Sequence, residues 1–390
     1  IASVKALNQG LATGNSPTFV NVTATSLDIS GNIDIDGVTN LDVLDVDGAV
    51  NMASTLAVGG VITIANGSNS APAIAFASDT DTGIFRGGTN NLAFAAGGAT
   101  RTYIDANTHL ATNTAGTSNL ALGVNAGNSI ASGGNYNTVV GDEAGTAITT
   151  GSFNTLLGVF AGDAIIDSNS NVAVGYSALS ADTKGAKSVA VGVSTLLAQN
   201  FTSATDAFNT AVGHNAGKAV TTGTHNTLIG GLAGDAITTG VSNTAVGKDA
   251  LGATTTGGNN AALGKNALIS NTTGSFNTAT GKGALTANTT ASNNTGVGYQ
   301  ALAANTTGTR NTGVGAKALD TNTTGQQNTG VGYGAMDANT TGSNNVAIGD
   351  AALASNTTAS NNTAVGDDAL KFNTTGHSLS AVGEGSLDAN

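Results

Sequence analysis

The sequence predicts an all-β protein whose larger part is a β-solenoid, and three observations lead to this prediction. A phrase of 17 residues recurs from Asn119 onwards, as in NTGVGYQALAANTTGTR at 294–310. Each copy holds a short apolar stretch ended by a glycine, which is the pattern of a strand followed by a turn. No copy contains the roughly 10–12 residues of helical periodicity that a helix needs. A fixed period of this size indicates stacked units, each too small to bury its own apolar face.

The phrase occurs in sixteen copies, of which the last is incomplete. They start at residues 119, 137, 154, 171, 188, 209, 226, 243, 260, 277, 294, 311, 328, 345, 362 and 379. Position 1 is Asn in fourteen copies, position 4 is Val, Ile or Leu in all but one, and position 5 is always Gly. We expect each copy to form one coil with two short strands. Sixteen coils stacked about 4.8 Å apart would give a rod of about 75 Å.

Positions 9 and 12 vary together, and this provides an internal test of the coil. Where position 9 is Gly, as at Gly145, position 12 is Ile or Val, as at Ile148. Where position 9 is Leu or Met, as at Leu302, position 12 is polar, as at Asn305. Close packing tolerates neither a hole nor a surplus side chain. We therefore predict that the two positions share one interior site.

The Asn column at position 1 has two interpretations. One is a structural ladder of inward amides, each bonding to the coils above and below. The other is a channel for an ion or ligand. We favour the ladder, which comprises Asn209, Asn226, Asn243, Asn260, Asn277, Asn294, Asn311, Asn328, Asn345 and Asn362.

The chain before the solenoid divides into three predicted regions. Residues 1–25 form an extended segment, because Gly10, Gly14 and Pro17 disfavour a helix. Residues 26–66 alternate apolar residues with Asp, Ser, Asn or Gly, and strands this short need partners. We expect this region to form an intertwined short-strand β shaft of three chains. Its Asp run is better explained as a solvated face than as calcium loops, because the flanking ligands are missing. Residues 67–118 predict a small β-module of four strands.

One solenoid copy, 188–208, is 21 residues long. Four extra residues in one coil must bulge outwards, and such loops often carry binding. Asn200, Phe201, Asp206 and Phe208 are therefore a possible partner-contact loop, although a neutral loop is the simpler alternative.

Composition narrows the possible functions. The net charge of −12 disfavours nucleic acid and anionic membranes as partners. The absence of Cys excludes disulfides and Cys metal sites. No run of 18 apolar residues predicts a membrane span. The four His residues lack ligand spacing, and no catalytic motif is present. We expect no enzyme, no metal and no cofactor. The first residue is not Met and the last copy is cut short, which suggests a fragment or a processed chain.

Three stretches resemble known families. ALNQGLATGNSPTFVNVTATSLDISG at 6–31 is similar to the start of many bacteriophage tail fibres. SDTDTGIFRGGTNNLAFAAGGATRTYIDANTHL at 78–110 resembles a module of marine and cyanobacterial phage tail fibres. NTAVG and NVAIG, with Ala three residues on, resemble the head repeats of trimeric autotransporter adhesins, whose period is shorter. The resemblance implies a parallel homotrimer on a virion, outside the cell, with a structural or host-recognition role. It implies no specific functional residue.

We therefore expect a fibrous homotrimer with an N-terminal intertwined short-strand β region, a small β-module and a long 17-residue-repeat β-solenoid. The leading hypothesis is a phage tail fibre that contacts other tail proteins and a glycan or protein of the host surface. One alternative is a bacterial trimeric adhesin head. A further alternative is an ice-binding solenoid, suggested by Thr pairs such as Thr306 and Thr307. A glycan-cleaving spike is the weakest hypothesis.

Overall fold

A computed structural model of the chain describes residues 58, 60–104, 110–112 and 114–388. Contacts divide the chain into two units between Thr63 and Ile64. The predicted extended segment 1–25 lies outside the described residues, as does the predicted shaft 26–66 apart from residues 58 and 60–66. The second unit contains strands and turns, and its described residues include no helix. The described residues accordingly contain no helix that could cross a membrane.

The β-module is an antiparallel meander of five strands, one more than predicted. The strands are β1 (Ile74–Phe76), β2 (Asp79–Gly88), β3 (Asn91–Ala96), β4 (Ala99–Ile104) and β5 (Leu110–Thr112), and their order in the sheet is the order in the chain. Gly97 and Gly98 both have positive φ, so the β3–β4 hairpin uses the two-residue turn whose twist suits adjacent strands. The difference in number arises because the last predicted strand is divided into β4 and β5.

The solenoid is a parallel β-solenoid of about fifteen turns, as the repeat predicted. One strand from each of the sixteen copies joins a single parallel sheet, and every strand pairs in register with that of the next coil, as Thr295 does with Thr312. Two further strands, β10 and β12, form a small second sheet. In chain order the strands are β6 (Leu120–Leu122), β7 (Thr138–Val140), β8 (Thr155–Leu157), β9 (Val172–Val174), β10 (Gly185–Ala186), β11 (Val189–Val191), β12 (Thr205–Asp206), β13 (Thr210–Val212), β14 (Thr227–Ile229), β15 (Thr244–Val246), β16 (Ala261–Leu263), β17 (Thr278–Thr280), β18 (Thr295–Val297), β19 (Thr312–Val314), β20 (Thr329–Val331), β21 (Val346–Ile348), β22 (Thr363–Val365) and β23 (Ser380–Val382).

The expectation of two strands per coil is wrong for most coils. Within residues 119–388, only positions 2–4 are extended throughout, and a second strand exists only at 185–186 and 205–206. Positions 7, 9 and 17 have positive φ, as Gln300, Leu302 and Arg310 show, so the rest of the coil cannot form a continuous strand. Its backbone still bonds to neighbouring coils, for example from Leu302 N to Ala318 O at 2.9 Å. The coil is therefore hydrogen-bonded to its neighbours around much of its perimeter.

Glycine at position 5 is required by close approach between coils. Gly213 has a φ of 135°, and an added Cβ would lie 2.6 Å from the carbonyl oxygen of Gly230 in the next coil. The same geometry recurs along the column, so any side chain would separate the coils and break the sheet.

The shared interior site of positions 9 and 12 is confirmed. An added Cβ at Gly145 would lie 2.8 Å from Cδ1 of Ile148, so the isoleucine occupies the space of a position-9 side chain. Position 3 also contributes to this site, because its side chain points inwards from the strand. In β18, β19 and β20 position 3 is glycine, and an added Cβ at Gly313 would lie 3.2 Å from Cγ of Leu302. The volume of the core is thus shared among three positions of the coil.

Leucine at position 9 adopts a backbone conformation that leucine usually avoids. Leu302 has a φ of 55°, and a residue with a Cβ in this region is disfavoured by about 1–2 kcal/mol. Leu302 is nevertheless fully buried. Burial of a leucine side chain contributes about 1.5–3 kcal/mol, which offsets the backbone cost.

The first coil is capped by the β-module. The hydroxyl of Thr112 in β5 donates to Asn119 O at 3.3 Å and accepts from Ala121 N at 2.8 Å. Thr114 Oγ1 accepts from Asn119 Nδ2 at 3.0 Å. These two hydroxyls form hydrogen bonds to the polar groups that a preceding coil would otherwise bond, so the module caps the amino end of the solenoid.

We expect the shared interior site to produce strong coupling in a double-mutant cycle at Leu251 and Thr254. Leu251→Gly should cost about 3 kcal/mol by leaving a hole. Thr254→Ile should cost about 1–3 kcal/mol by overfilling the site. The double variant reproduces the Gly/Ile pair found in the preceding coil at Gly234 and Ile237, so it should recover at least about 1 kcal/mol of the summed loss. Urea unfolding measures all three variants, and additive losses would contradict a shared site.

Candidate functional surfaces: the strand face and the inserted coil

The Asn side chains at position 1 are buried and link each coil to the next. Asn328 N and Nδ2 donate to Asn311 Oδ1 at 3.0 and 3.2 Å, and Asn311 Nδ2 donates to Gly325 O at 2.8 Å within its own coil. All ten Asn residues named from the sequence donate through Nδ2 to such a carbonyl of their own coil. They are Asn209, Asn226, Asn243, Asn260, Asn277, Asn294, Asn311, Asn328, Asn345 and Asn362. Their polar atoms are engaged in structural bonds.

A second amide ladder lies at position 12, and the sequence reasoning missed it. Asn305 Nδ2 donates to Asn288 Oδ1 at 3.0 Å and to Gly308 O at 3.0 Å. Asn294, from the first ladder, donates to the same Gly308 carbonyl at 2.9 Å. One backbone carbonyl per coil therefore serves both ladders. The second ladder comprises Asn271, Asn288, Asn305, Asn322, Asn339, Asn356 and Asn373. Its signal in the sequence was the polar residue that accompanies Leu or Met at position 9.

Ser188 interrupts the first ladder, and the inserted coil 188–208 restores it. The side-chain amide of Gln199 donates to Ser188 Oγ at 3.0 Å, and its oxygen accepts from Asn209 Nδ2 at 2.8 Å. Gln199 Nε2 also donates to Asp182 Oδ2 at 2.6 Å. The chain of amides is thus continued by a position-12 side chain where position 1 is too short.

Asp182 is a fully buried carboxylate beside the inserted coil. Its Oδ1 accepts from Gly185 N at 2.8 Å and from Phe201 N at 3.4 Å. Burial raises the pKa of Asp182, and the hydrogen bonds from Gln199 and Gly185 oppose that rise. The described residues contain no group of three His, Cys, Asp or Glu side chains that could hold a metal ion.

The predicted contact loop is partly internal. Phe201 is buried, and its ring fills the space beside Gly185, so it cannot form part of an outer contact surface. Asn200 accepts from Thr183 Oγ1 at 2.9 Å. Asp206 and Phe208 are exposed.

The exposed part of the inserted coil carries paired charges and an aromatic stack. Asp206 Oδ2 is 2.6 Å from Lys187 Nζ, which in turn lies 5.0 Å from the centre of the Phe208 ring. That ring is 5.5 Å from the ring of His225. The insertion therefore adds a small second sheet and a polar-aromatic edge to the coil, and its role in partner contact remains a prediction.

The outward face of the sixteen-stranded sheet is a regular surface that runs along the whole solenoid. Position 3 of each strand points inwards, so positions 2 and 4 point outwards. Position 2 is Thr in ten coils, and position 4 is Val, Ile or Leu in fifteen. No charged residue occupies either position in any coil. Leu157, Ile229 and Leu263 at position 4 are 46%, 40% and 42% exposed. We call this surface the strand face.

In the Thr pairs that suggested ice binding, as at Thr306 and Thr307, the second residue is exposed and the first is only partly exposed. Thr306 Oγ1 donates to Thr323 O at 3.1 Å, so the first hydroxyl of the pair bonds to the next coil. A further in-register column of Thr residues lies at position 2, on the strand face. The β-module also leaves apolar side chains uncovered, and Ile74, Phe76 and Phe94 are exposed on it.

Comparison of the chain with protein family models, with characterised proteins and with solved structures finds no significant match. The fold and these surfaces define the class of protein as an all-β repeat protein with a parallel β-solenoid.

We expect Asn311→Ala to destabilise the solenoid by about 1–3 kcal/mol, because the buried N–H of Asn328 loses its acceptor. Urea unfolding gives the total effect, and amide hydrogen exchange at residues 328–331 locates it. Gln326→Ala removes an exposed amide of the neighbouring segment and serves as the control, with an expected change within about 0.5 kcal/mol. Equal effects of the two variants would argue against the ladder as a source of stability.

The buried carboxylate predicts a pH effect with a defined sign. The pKa of Asp182 is higher in the folded state than its ordinary value of 3.8. At a pH between the ordinary and the raised pKa, the folded state therefore holds a proton that the unfolded state has lost. The contribution of Asp182 to stability should therefore fall as the pH rises through that window. Asp182→Asn should remove this dependence of stability on pH. Unfolding measured across the acid range tests it, and an unchanged pH profile would contradict it.

Proposed function

We propose that the chain is a structural fibre protein in which three copies pack through their strand faces. The fibre acts as a rigid trimeric rod of a virion tail, outside the cell, in attachment to the host surface. It is not an enzyme and needs no cofactor. Its partners are two further copies, other tail proteins, and a glycan or protein of the host.

The observation that supports this proposal best is the uncharged strand face. Soluble monomers seldom expose contiguous apolar patches beyond a few hundred Å². The strand face continues for sixteen coils, or about 75 Å, without one charged side chain. Burying a charge without a partner costs free energy, so a face without charge is suited to packing against a copy of itself. The uncovered apolar side chains of the β-module favour the same arrangement.

The rod role follows from the interior. Each coil bonds to the next through backbone hydrogen bonds and, over seven coils, through two amide ladders. Bending such a stack would stretch several bonds at once, so the solenoid is suited to keeping a fixed length. The number of copies and the place on a virion rest on the resemblance of residues 6–31 and 78–110 to phage tail fibres.

Two alternatives lead to different expectations. A bacterial adhesin head would use the same trimeric packing on a cell instead of a virion. An ice-binding solenoid would leave the strand face open to water, and the in-register Thr residues at position 2 favour this candidate. One surface cannot be both buried between copies and open to ice.

We expect the native mass by light scattering to be about three times that of one 37.6 kDa chain. Val297→Lys, Val314→Lys and Val331→Lys together place charges on the strand face and should dissociate the trimer, because these side chains point outwards. Stacking three like charges costs stability in this variant and in its control alike. The matched control is Thr307→Lys, Thr324→Lys and Thr341→Lys, at exposed position 14. A monomer that shows thermal hysteresis would favour the ice-binding alternative instead.

The attachment role is tested separately. Antibodies against the chain should label virion tails and block adsorption to the host. Labelling of a bacterial surface instead would favour the adhesin.

A further inference from the structure

Position 6 of the last nine coils forms an exposed column with an ordered distribution of charge. Three lysines come first, two tyrosines separated by an alanine follow, and three acidic residues come last. Eight of the nine residues are exposed, and the central alanine is half-buried. The column, which we call the charge column, comprises Lys248, Lys265, Lys282, Tyr299, Ala316, Tyr333, Asp350, Asp367 and Glu384.

The lysines of the charge column stack without intervening acids. Successive coils are about 4.8 Å apart, and like charges directly opposite in a sheet destabilise it. Lys248 is paired with Asp249 at 2.6 Å. Among the described residues, no carboxylate lies within 4.0 Å of Lys265 or Lys282. Lys282 Nζ lies 5.9 Å from the ring centre of Tyr299. Within the part of the chain that the structure describes, two cations therefore remain without an anionic partner, although the net charge of the whole chain is −12.

The carboxylates at the acidic end of the column contribute to a raised pKa of the neighbouring Lys371. The pKa of Lys371 is raised first by its hydrogen bond to Asp368, and then by the charges of Asp368, Asp367 and Asp350. The two ends of the column thus carry opposite potentials on one line of the surface.

The charge column is complementary to its own reverse. A two-fold axis beside Ala316, perpendicular to the solenoid, would bring Lys282 of one copy opposite Asp350 of the other. The same axis pairs Lys265 with Asp367 and Lys248 with Glu384. It also sets Tyr299 against Tyr333 and brings the two copies of Ala316 together. Every residue of the column meets a suitable partner, and the smallest side chain lies on the axis, where the chains come closest.

We propose that the charge column is a docking surface for a second copy of this chain in antiparallel orientation. This is an isologous contact, in which the same patch serves both partners. It is separate from the strand face, because the trimer of the proposed function is parallel and would place like ends of the column at the same height. The contact would join two rods side by side in antiparallel orientation.

The contact is expected to be weak and sensitive to salt. The column is about 38 Å long but only one residue wide, so it is smaller than a standard stable interface. Lys317, next to Ala316 in the chain, would approach its own copy near the axis, but the charge of Asp320 acts on it and offsets part of this repulsion. Screening by about 1 M salt should abolish the association, since the screening length is then about 3 Å.

Charge reversal followed by a charge swap tests the proposal. In sedimentation equilibrium at low salt, the wild-type mass should at least double as concentration rises, relative to its value at high salt. Lys248→Glu, Lys265→Glu and Lys282→Glu together should abolish this doubling. The matched control Lys184→Glu, Lys187→Glu and Lys218→Glu changes the net charge equally and should retain it. Adding Asp350→Lys, Asp367→Lys and Glu384→Lys to the first variant makes the column self-complementary again and should restore association.

A single cysteine tests the axis. The chain has no Cys, so Ala316→Cys should form a disulfide-linked dimer under mild oxidation. Gly231→Cys, at position 6 but outside the charge column, should not. A parallel contact would cross-link Ala316→Cys and Gly231→Cys equally, so equal cross-linking would overturn the proposal. A wild type that does not associate would also overturn it, and so would a charge swap that fails to restore association. The mass at high salt shows how many copies associate through the strand face, because the charge-column contact is then screened. A failure of the proposed trimer can therefore be distinguished from a failure of this contact.

Discussion

The solenoid depends on the satisfaction of buried amides within a very narrow coil. A coil of 17 residues cannot assemble a large apolar core, and its interior instead carries one or two asparagines beside small aliphatic residues. An unpaired buried amide costs free energy, whereas a fully bonded one is tolerated. Each ladder amide is bonded to its own coil and to the adjacent one, and over seven coils one carbonyl accepts from both ladders. This arrangement fixes the spacing and register of the coils, and the strand face and the charge column inherit their regularity from it.

The aliphatic part of the interior follows a second constraint, which is that positions 9 and 12 together supply one bulky apolar side chain per coil. Positions 3, 9 and 12 contribute side chains to one space, and a bulky apolar residue at position 9 or 12 is accompanied by glycine or a polar residue at the other of these two positions. Gly313 beside Leu302, and Ile148 beside Gly145, are two solutions of the same packing problem. Leucine accepts a left-handed backbone at position 9 because burial there is worth more than the conformational cost. Sequence variation between coils is therefore coordinated, although each coil differs from its neighbours.

Much of this fold could be predicted from the sequence, because a repeat compares a chain with itself. The period, the glycine at position 5 and the exchange between positions 9 and 12 are visible without coordinates. The number of strands per coil could not be predicted in this way, because no residue type reliably marks left-handed φ values such as those of Leu302 and Arg310. Phe201 was expected outside and lies inside, since an inserted loop can fold its largest side chain back over a glycine such as Gly185. The strand face required knowledge of which residues point outwards. The residues of the charge column are visible in the repeat, but their exposure and their alignment along one line of the surface required the structure.

The ladders also have a direction. The amide of each coil donates to the oxygen of the coil before it, as Asn328 does to Asn311, and the first coil is completed by hydroxyls of the preceding module. A folded coil therefore presents a fixed set of hydrogen-bond acceptors to the coil that follows it in the chain. Synthesis proceeds from the amino end, so each turn can be laid on a completed template as it leaves the ribosome, without waiting for residues that have not been made. A long parallel sheet, ordinarily slow to assemble because its strands are distant in sequence, becomes here a succession of short local steps.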